Sequence, residues 1–199
     1  MKRVIELVIN EDEDSGVNAI SLVDNPAIEI NFLYFKKEDI PKNKFLFADT
    51  DKHILVSPIM IPNIEIPRLD DNDEVYYVKF SEETILKIAQ KFMKDEHTNE
   101  TNIDHQANID AGTYLFESWI VETPEDKAYT KYNFNIPLGT WMGSFKVDDD
   151  SVWELVKSGK VNGVSVEGLF IDADEIQAQT IYNKIRNILL DDTYCADTF

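Results

Sequence analysis

Short runs of β-branched and aromatic residues, each broken after a few positions by Pro, Gly, Asn or Asp, dominate this chain and confine it to a β-rich fold. Residues 2–9 form the first run. The acidic stretch Glu11-Asp12-Glu13-Asp14-Ser15-Gly16 ends it, because like charges and a glycine favour a loop. Ala19 to Val23 is a second strand, stopped at Asp24-Asn25-Pro26 because proline cannot donate to a ladder. Residues 28–35 read as extended and residues 36–44, with Pro41, as a polar loop. His53 to Met60 and Val75 to Phe80 read as strands, joined irregularly through Pro62, Pro67 and Asp70-Asp71-Asn72-Asp73. After another polar loop, Thr113 to Glu122, Lys127 to Tyr132, Thr140 to Val147 and Val161 to Ile171 complete the set.

Helical signals are fewer. Ser81 is a good N-cap, Glu82 and Glu83 suit the positive end of a helix dipole, and Ile85, Ile88, Ala89 and Phe92 recur at helical spacing. That helix is expected to end near Asp95. A short helix follows from Ser151 to Ser158, with Gly159 closing it. A last one spans about Asp174 to Leu190, with Ile181, Ile185, Ile188 and Leu189 on one face. Strands in the majority with a few helices predict a β-rich α+β domain rather than a doubly wound sheet.

Charge and composition remove several functions. With 19 Lys+Arg against 38 Asp+Glu the net charge is -19, a surface that repels phosphate backbones, so direct nucleic-acid binding is not expected. Solubility is the plain account of that acidity. Cys195 is the only cysteine, which excludes an internal disulfide and a cysteine-rich zinc site. Glu6 and Asn10 interrupt the apolar run after Met1-Lys2-Arg3, so no export signal is expected. No run approaches the roughly 18 apolar residues of a membrane helix. There is no glycine-rich phosphate loop or dinucleotide fingerprint, so no cofactor is expected. Asp104, His105 and Asp110 could ligate a metal, but they lack helical i, i+4 spacing and any H-E-x-x-H pattern. A metal-dependent hydrolase is therefore a weak rival. Trp119, Trp141 and Trp153 each fall within a strand or helix and are expected in the core.

The segment Gly163-Val164-Ser165-Val166-Glu167-Gly168 carries the most chemical information. Side chains alternate faces along a strand, so Val164 and Val166 point one way and Ser165 and Glu167 the other. The valines would anchor a rigid platform for Ser165, and Gly163 and Gly168 would let a substrate backbone approach. The spacing is not that of the G-x-S-x-G nucleophile elbow, which disfavours an α/β-hydrolase. On this segment alone an ordinary strand serine is the simpler account. A nucleophilic serine also needs a base, and the histidines are His53, His97 and His105. His105, in Asn102-Ile103-Asp104-His105-Gln106 before the strand from Thr113, is best placed to reach a cleft; an imidazole titrates where proton transfer near neutral pH needs it. His97 reads as a solvated loop residue and His53 as the cap of a sheet edge.

Taken in order, these segments resemble the phage prohead proteases of the XkdF-like group, which are related to the herpesvirus assembly proteases. The resemblance is carried by Gly16-Val17-Asn18-Ala19-Ile20-Ser21-Leu22-Val23-Asp24-Asn25-Pro26-Ala27, Asn102-Ile103-Asp104-His105, Glu117-Ser118-Trp119-Ile120-Val121 and Pro137-Leu138-Gly139-Thr140-Trp141. It continues through Lys146-Val147-Asp148, Val152-Trp153, Val156-Lys157-Ser158-Gly159 and the serine strand ending Glu167-Gly168-Leu169-Phe170. It implies a closed or nearly closed β-barrel of mostly antiparallel strands edged by helices. The protease domain would span 1–172, with N-terminal strands completing the barrel, and a C-terminal helix and tail would follow over 173–199. It implies a serine endopeptidase with Ser165 as nucleophile and His105 as base. Its substrates would be the scaffolding protein, the major capsid protein and the protease itself, in the host cytoplasm within the immature capsid, with a homodimer paired through the helix from Asp174. The family's acid falls at Ala19, as though the strand had been supplied from the other chain end, which leaves Asp24, Glu117 and Glu167 as candidates to orient the histidine. The missing acid also motivates an alternative, a catalytically inactive protease-like structural or scaffold-binding component of the capsid.

Overall fold

The computed structural model describes residues 2–11, 14–24, 46–49 and 52–194; the extended piece expected over 28–35, the loop over 36–44 and Cys195 lie outside the described residues. Along the chain the elements are β1 (Val4–Val8), β2 (Gly16–Val23), β3 (Leu46–Asp49), β4 (Ile54–Met60), β5 (Ile66–Leu69), β6 (Val75–Lys79), α1 (Glu82–Lys94), β7 (Thr101–Ile103), β8 (Gln106–Asp110), β9 (Thr113–Ile120), α2 (Lys127–Thr130), β10 (Trp141–Val147), α3 (Asp150–Lys157), β11 (Gly163–Leu169), β12 (Ile171–Asp172) and α4 (Ala173–Tyr194).

The described strands form three four-stranded sheets, ordered β12-β1-β6-β5, β3-β4-β10-β9 and β11-β2-β7-β8. The β-rich α+β class expected from the sequence is what the chain adopts. The closed barrel is not. Among the described residues no sheet closes on itself, and although β4 and β11 approach each other no ladder joins them. Closure needs a hydrogen-bonded ladder running from sheet to sheet, and none links the three described sheets. The N-terminal strands lie inside two of these sheets. β1 sits between β12 and β6, and β2 runs antiparallel to β11 and parallel to β7.

One apolar core joins the sheets to α1 and α3. Ile20, Leu22, Leu55, Ile59, Trp141, Phe145 and Val164 meet Ile85, Ile88 and Phe92 of α1 and Trp153 of α3, all almost fully buried. Burial of side chains of this size contributes roughly 1.5–3 kcal/mol each relative to exposure. The expected stripe on α1 is therefore the core-facing one. Ser81 caps that helix by accepting from the Thr84 N–H, and Asp149 caps α3 by accepting from Ser151 and Val152. Trp119 is the one tryptophan left partly exposed, with the Lys127 ammonium 3.7 Å from its ring centroid.

Some local expectations fail. Lys127 to Tyr132 does not form a strand; Asp126 accepts from the Ala128 N–H and starts the short helix α2 instead. The region around Pro67 is not irregular but forms β5, an edge strand, where a missing N–H is tolerated. On α4, Ile181 and Ile185 are about half exposed, so no part of the described fold covers that face. No helix among the described residues is long and apolar enough to cross a membrane.

Candidate active site

The site is built on one face of the sheet β11-β2-β7-β8. Ser165 of β11 is the register partner of Ser21 of β2, which in turn is the register partner of Asn102 of β7. Residues directly opposite on neighbouring strands share a face, so the three side chains form a row. Glu167, two residues beyond Ser165, falls on that face too, opposite Ala19. The other face is core: Ile20, Leu22 and Val164 are buried, and Val166 packs against them. The alternation expected along 163–168 is thus the alternation found.

His105 reaches this row from a tight turn. The polar loop expected ahead of the strand at Thr113 instead holds the hairpin β7–β8, with Ile103 paired to Gln106. Its two-residue loop is Asp104-His105, both with positive φ (50° and 58°), as a type I′ turn requires. Asp and His tolerate that region better than most residues. The Asp104 N–H donates to the Leu22 carbonyl at 3.0 Å, pinning the turn to β2 beside Ser21.

The imidazole then lies over two strands. His105 Nδ1 is 3.2 Å from Glu167 Oε1 and 3.1 Å from Ser21 Oγ. Glu167 Oε1 also accepts from Asn102 Nδ2 at 2.6 Å. Ser21 Oγ is 2.5 Å from both Glu167 Oε1 and Asn102 Oδ1, and its single O–H donates to one of them at a time. Asn102 Nδ2, Ser21 Oγ and His105 Nδ1 therefore all lie within hydrogen-bonding reach of one carboxylate oxygen. Burial pushes the Glu167 carboxyl up, but the hydrogen bonds from Ser21 and Asn102 and the charge of His105 outweigh it and hold it below the usual glutamate range.

The two serines differ in access. Ser21 has no exposed surface, whereas Ser165 is partly exposed. Ser165 is thus the more accessible of the two, while Ser21 Oγ is the hydroxyl that lies against His105 Nδ1. Gly168 differs from expectation as well. A Cβ on Gly168 would lie 1.9 Å from the Gly16 carbonyl oxygen, so the chain's own β2 occupies that space rather than a substrate backbone.

Of the three acids proposed to orient the histidine, the structure brings one to it. Glu117 is held by Lys127 and by Ser144, which donates to it at 2.6 Å. Asp24 accepts from Asn162 Nδ2 at 2.8 Å. The other histidines belong elsewhere: His53 stacks on Trp153 with ring centroids 4.6 Å apart, and His97 lies beside Phe92. Asp110 accepts from the Gly112 N–H, and among the described residues no three His, Cys, Asp or Glu side chains group as a metal would need. Ser21 and Asn102 were not singled out from sequence as site residues. The available signal was a serine between two core residues, Ile20 and Leu22, where an unpartnered hydroxyl would be costly.

The family model described as "Putative phage serine protease XkdF" matches residues 44–177. The chain belongs to this family. The matched span contains Asn102, His105, Ser165 and Glu167, while β2 with Ala19 and Ser21 lies before it. The chain has no match among the curated proteins or among the solved structures. Membership of a serine protease family disfavours metal-dependent hydrolysis as the reading of Asp104 and His105.

Proposed function

We propose that this chain is a serine endopeptidase in which Ser165 is the nucleophile and His105 its base. The observation that carries the reading is the register Ser165–Ser21, which sets the accessible serine beside a buried one already in contact with the imidazole. Membership of a phage serine protease family supports the same chemistry. His105 takes the Ser165 proton as Oγ attacks a peptide carbonyl. The C–N bond then breaks, the amine leaves with that proton, and water adds to the acyl carbon. The hydrolysis returns a carboxylic acid and the free hydroxyl.

The substrates we assign are the scaffolding protein, the major capsid protein and the chain itself, cut inside the immature phage head in the host cytoplasm. The protease domain is 1–172, and a homodimer would pair through α4, whose Ile181 and Ile185 stand exposed. The acidic surface fits a partner other than nucleic acid.

A second reading keeps the fold without the activity, as a scaffold-binding part of the capsid, and Ala19 in place of the family's acid favours it. A fluorophosphonate probe separates the two. Labelling mapped to Ser165, and abolished in a folded Ser165→Ala variant that no longer cuts co-expressed scaffold, is the expected result. A chain that takes no probe and leaves scaffold intact is the inactive component. A label on Ser21 would move the nucleophile to β2.

A further inference from the structure

The arrangement around Glu167 goes beyond a serine and a base, and deepens the reading just given, on which it rests. In an acyl-transfer site the base needs its tautomer fixed and its transient positive charge stabilised. Here one carboxylate oxygen faces His105 Nδ1 at 3.2 Å, with the histidine side chain only 13% exposed. A neutral imidazole that donates its Nδ1 proton to that oxygen keeps its lone pair on Nε2, the nitrogen that must act as base. The carboxylate is itself fixed by Asn102 Nδ2 and Ser21 Oγ, both buried and both on strands that pair directly with one another. Its strand partner is Ala19, whose methyl leaves the face open for a longer side chain to lie across β2. The other acids are engaged elsewhere or exposed: Glu117 with Lys127 and Ser144, Asp24 with Asn162, and Asp104 on the outside of the turn.

We propose that Glu167 is the positioning carboxylate of this site. It holds His105 through Nδ1, and Asn102 and Ser21 hold it in turn from across the sheet. The arrangement also gives the buried Ser21 and Asn102 a purpose that core packing does not.

The test uses the full chain and a fluorophosphonate probe, with scaffold cleavage as the second readout. Glu167→Gln keeps the size and an accepting oxygen but removes the charge. It should slow labelling of Ser165 and lower kcat by about 10²- to 10⁴-fold, the range of a general base working or not, with KM within about twofold of the parent, because Glu167 positions the base and does not bind the peptide. Glu167→Asp should recover part of the loss. The relocated pair Glu167→Ala/Ala19→Glu, which moves the carboxylate across the ladder by one opposite-pair spacing of about 5 Å, should label faster than Glu167→Ala alone. Glu117→Gln should label like the parent. A folded Glu167→Gln that labels within about threefold of the parent overturns the proposal and leaves the Ser165–His105 reading intact, whereas a parent that takes no label overturns that reading first. Should Glu167→Gln not fold, the relocated pair decides. Labelling above that of Glu167→Ala sustains the proposal, and labelling no faster, or failure of the pair to fold while Glu167→Ala labels like the parent, overturns it.

Discussion

Replacing Gly168 by alanine tests the register on which the whole site depends. Gly168 faces Val17 just past the bulge that separates it from Glu167, and β2 and β11 are so close there that an added Cβ would sit 1.9 Å from the Gly16 carbonyl oxygen and 2.9 Å from the Val17 Cα. The obstacle is main chain, which cannot swing aside as a side-chain tip can. Relieving it requires the strands to separate by more than about 1 Å, which stretches adjacent ladder bonds beyond the roughly 3.2 Å at which N–H···O bonds hold. Two such bonds lost at about 1 kcal/mol each, with about 1–3 kcal/mol of overpacking, give roughly 3–5 kcal/mol. For a chain of this length about 2–4 °C of Tm follows each kcal/mol, so a fall of roughly 6–20 °C is expected in a thermal melt. Gly159→Ala is the control. Its φ of 72° carries the left-handed penalty, but its Cβ would meet nothing closer than Asn162 Oδ1 at 3.7 Å, so only about 1–2 kcal/mol should be lost. Labelling of Ser165 should fall in Gly168→Ala, because Glu167 is its neighbour, and persist in Gly159→Ala. A Gly168→Ala melt within about 2 °C of the parent, with labelling unchanged, would refute the close approach of β2 and β11.

Two further outcomes follow from the same structure. The folded pKa of Glu167 is lowered, so its contribution to stability is complete above the ordinary glutamate value and is lost as the pH falls through the lower folded value; across that acidic window the unfolding free energy of Glu167→Gln should vary less with pH than that of the parent, as read by denaturant titrations at several pH values. Trp141 is fully buried and donates from Nε1 to Ser118 Oγ at 2.8 Å, so Trp141→Ala should cost about 3–5 kcal/mol in chemical denaturation, and a loss under about 1 kcal/mol would count against its place in the core.

Much of the local structure was legible because it rests on near neighbours in sequence. The stripe Ile85-Ile88-Ala89-Phe92, the caps at Ser81 and Gly159 and the faces of β11 all follow from periodicities that the backbone imposes. The hairpin β7–β8 was not legible. Thr101–Ile103 is short and polar, and Asp-His is an uncommon type I′ pair, so neither a strand signal nor a turn signal stands out. α2 misled because Tyr129 and Tyr132 suit a strand, whereas the cap at Asp126 decided the matter. Barrel closure came from resemblance, and no ladder joins the described sheets.

Sequence by itself determined that Ser165 and Glu167 share one side of a strand and that two valines hold the other side down, since alternation needs no knowledge of what lies opposite. Only the tertiary structure decided what that side meets. The partners Ser21, Asn102 and His105 come from β2, β7 and a turn far away along the chain, and a shift of pairing by one residue would have turned every one of them to the wrong face. Register between distant strands is set by the packing of the whole core, and no local pattern encodes it.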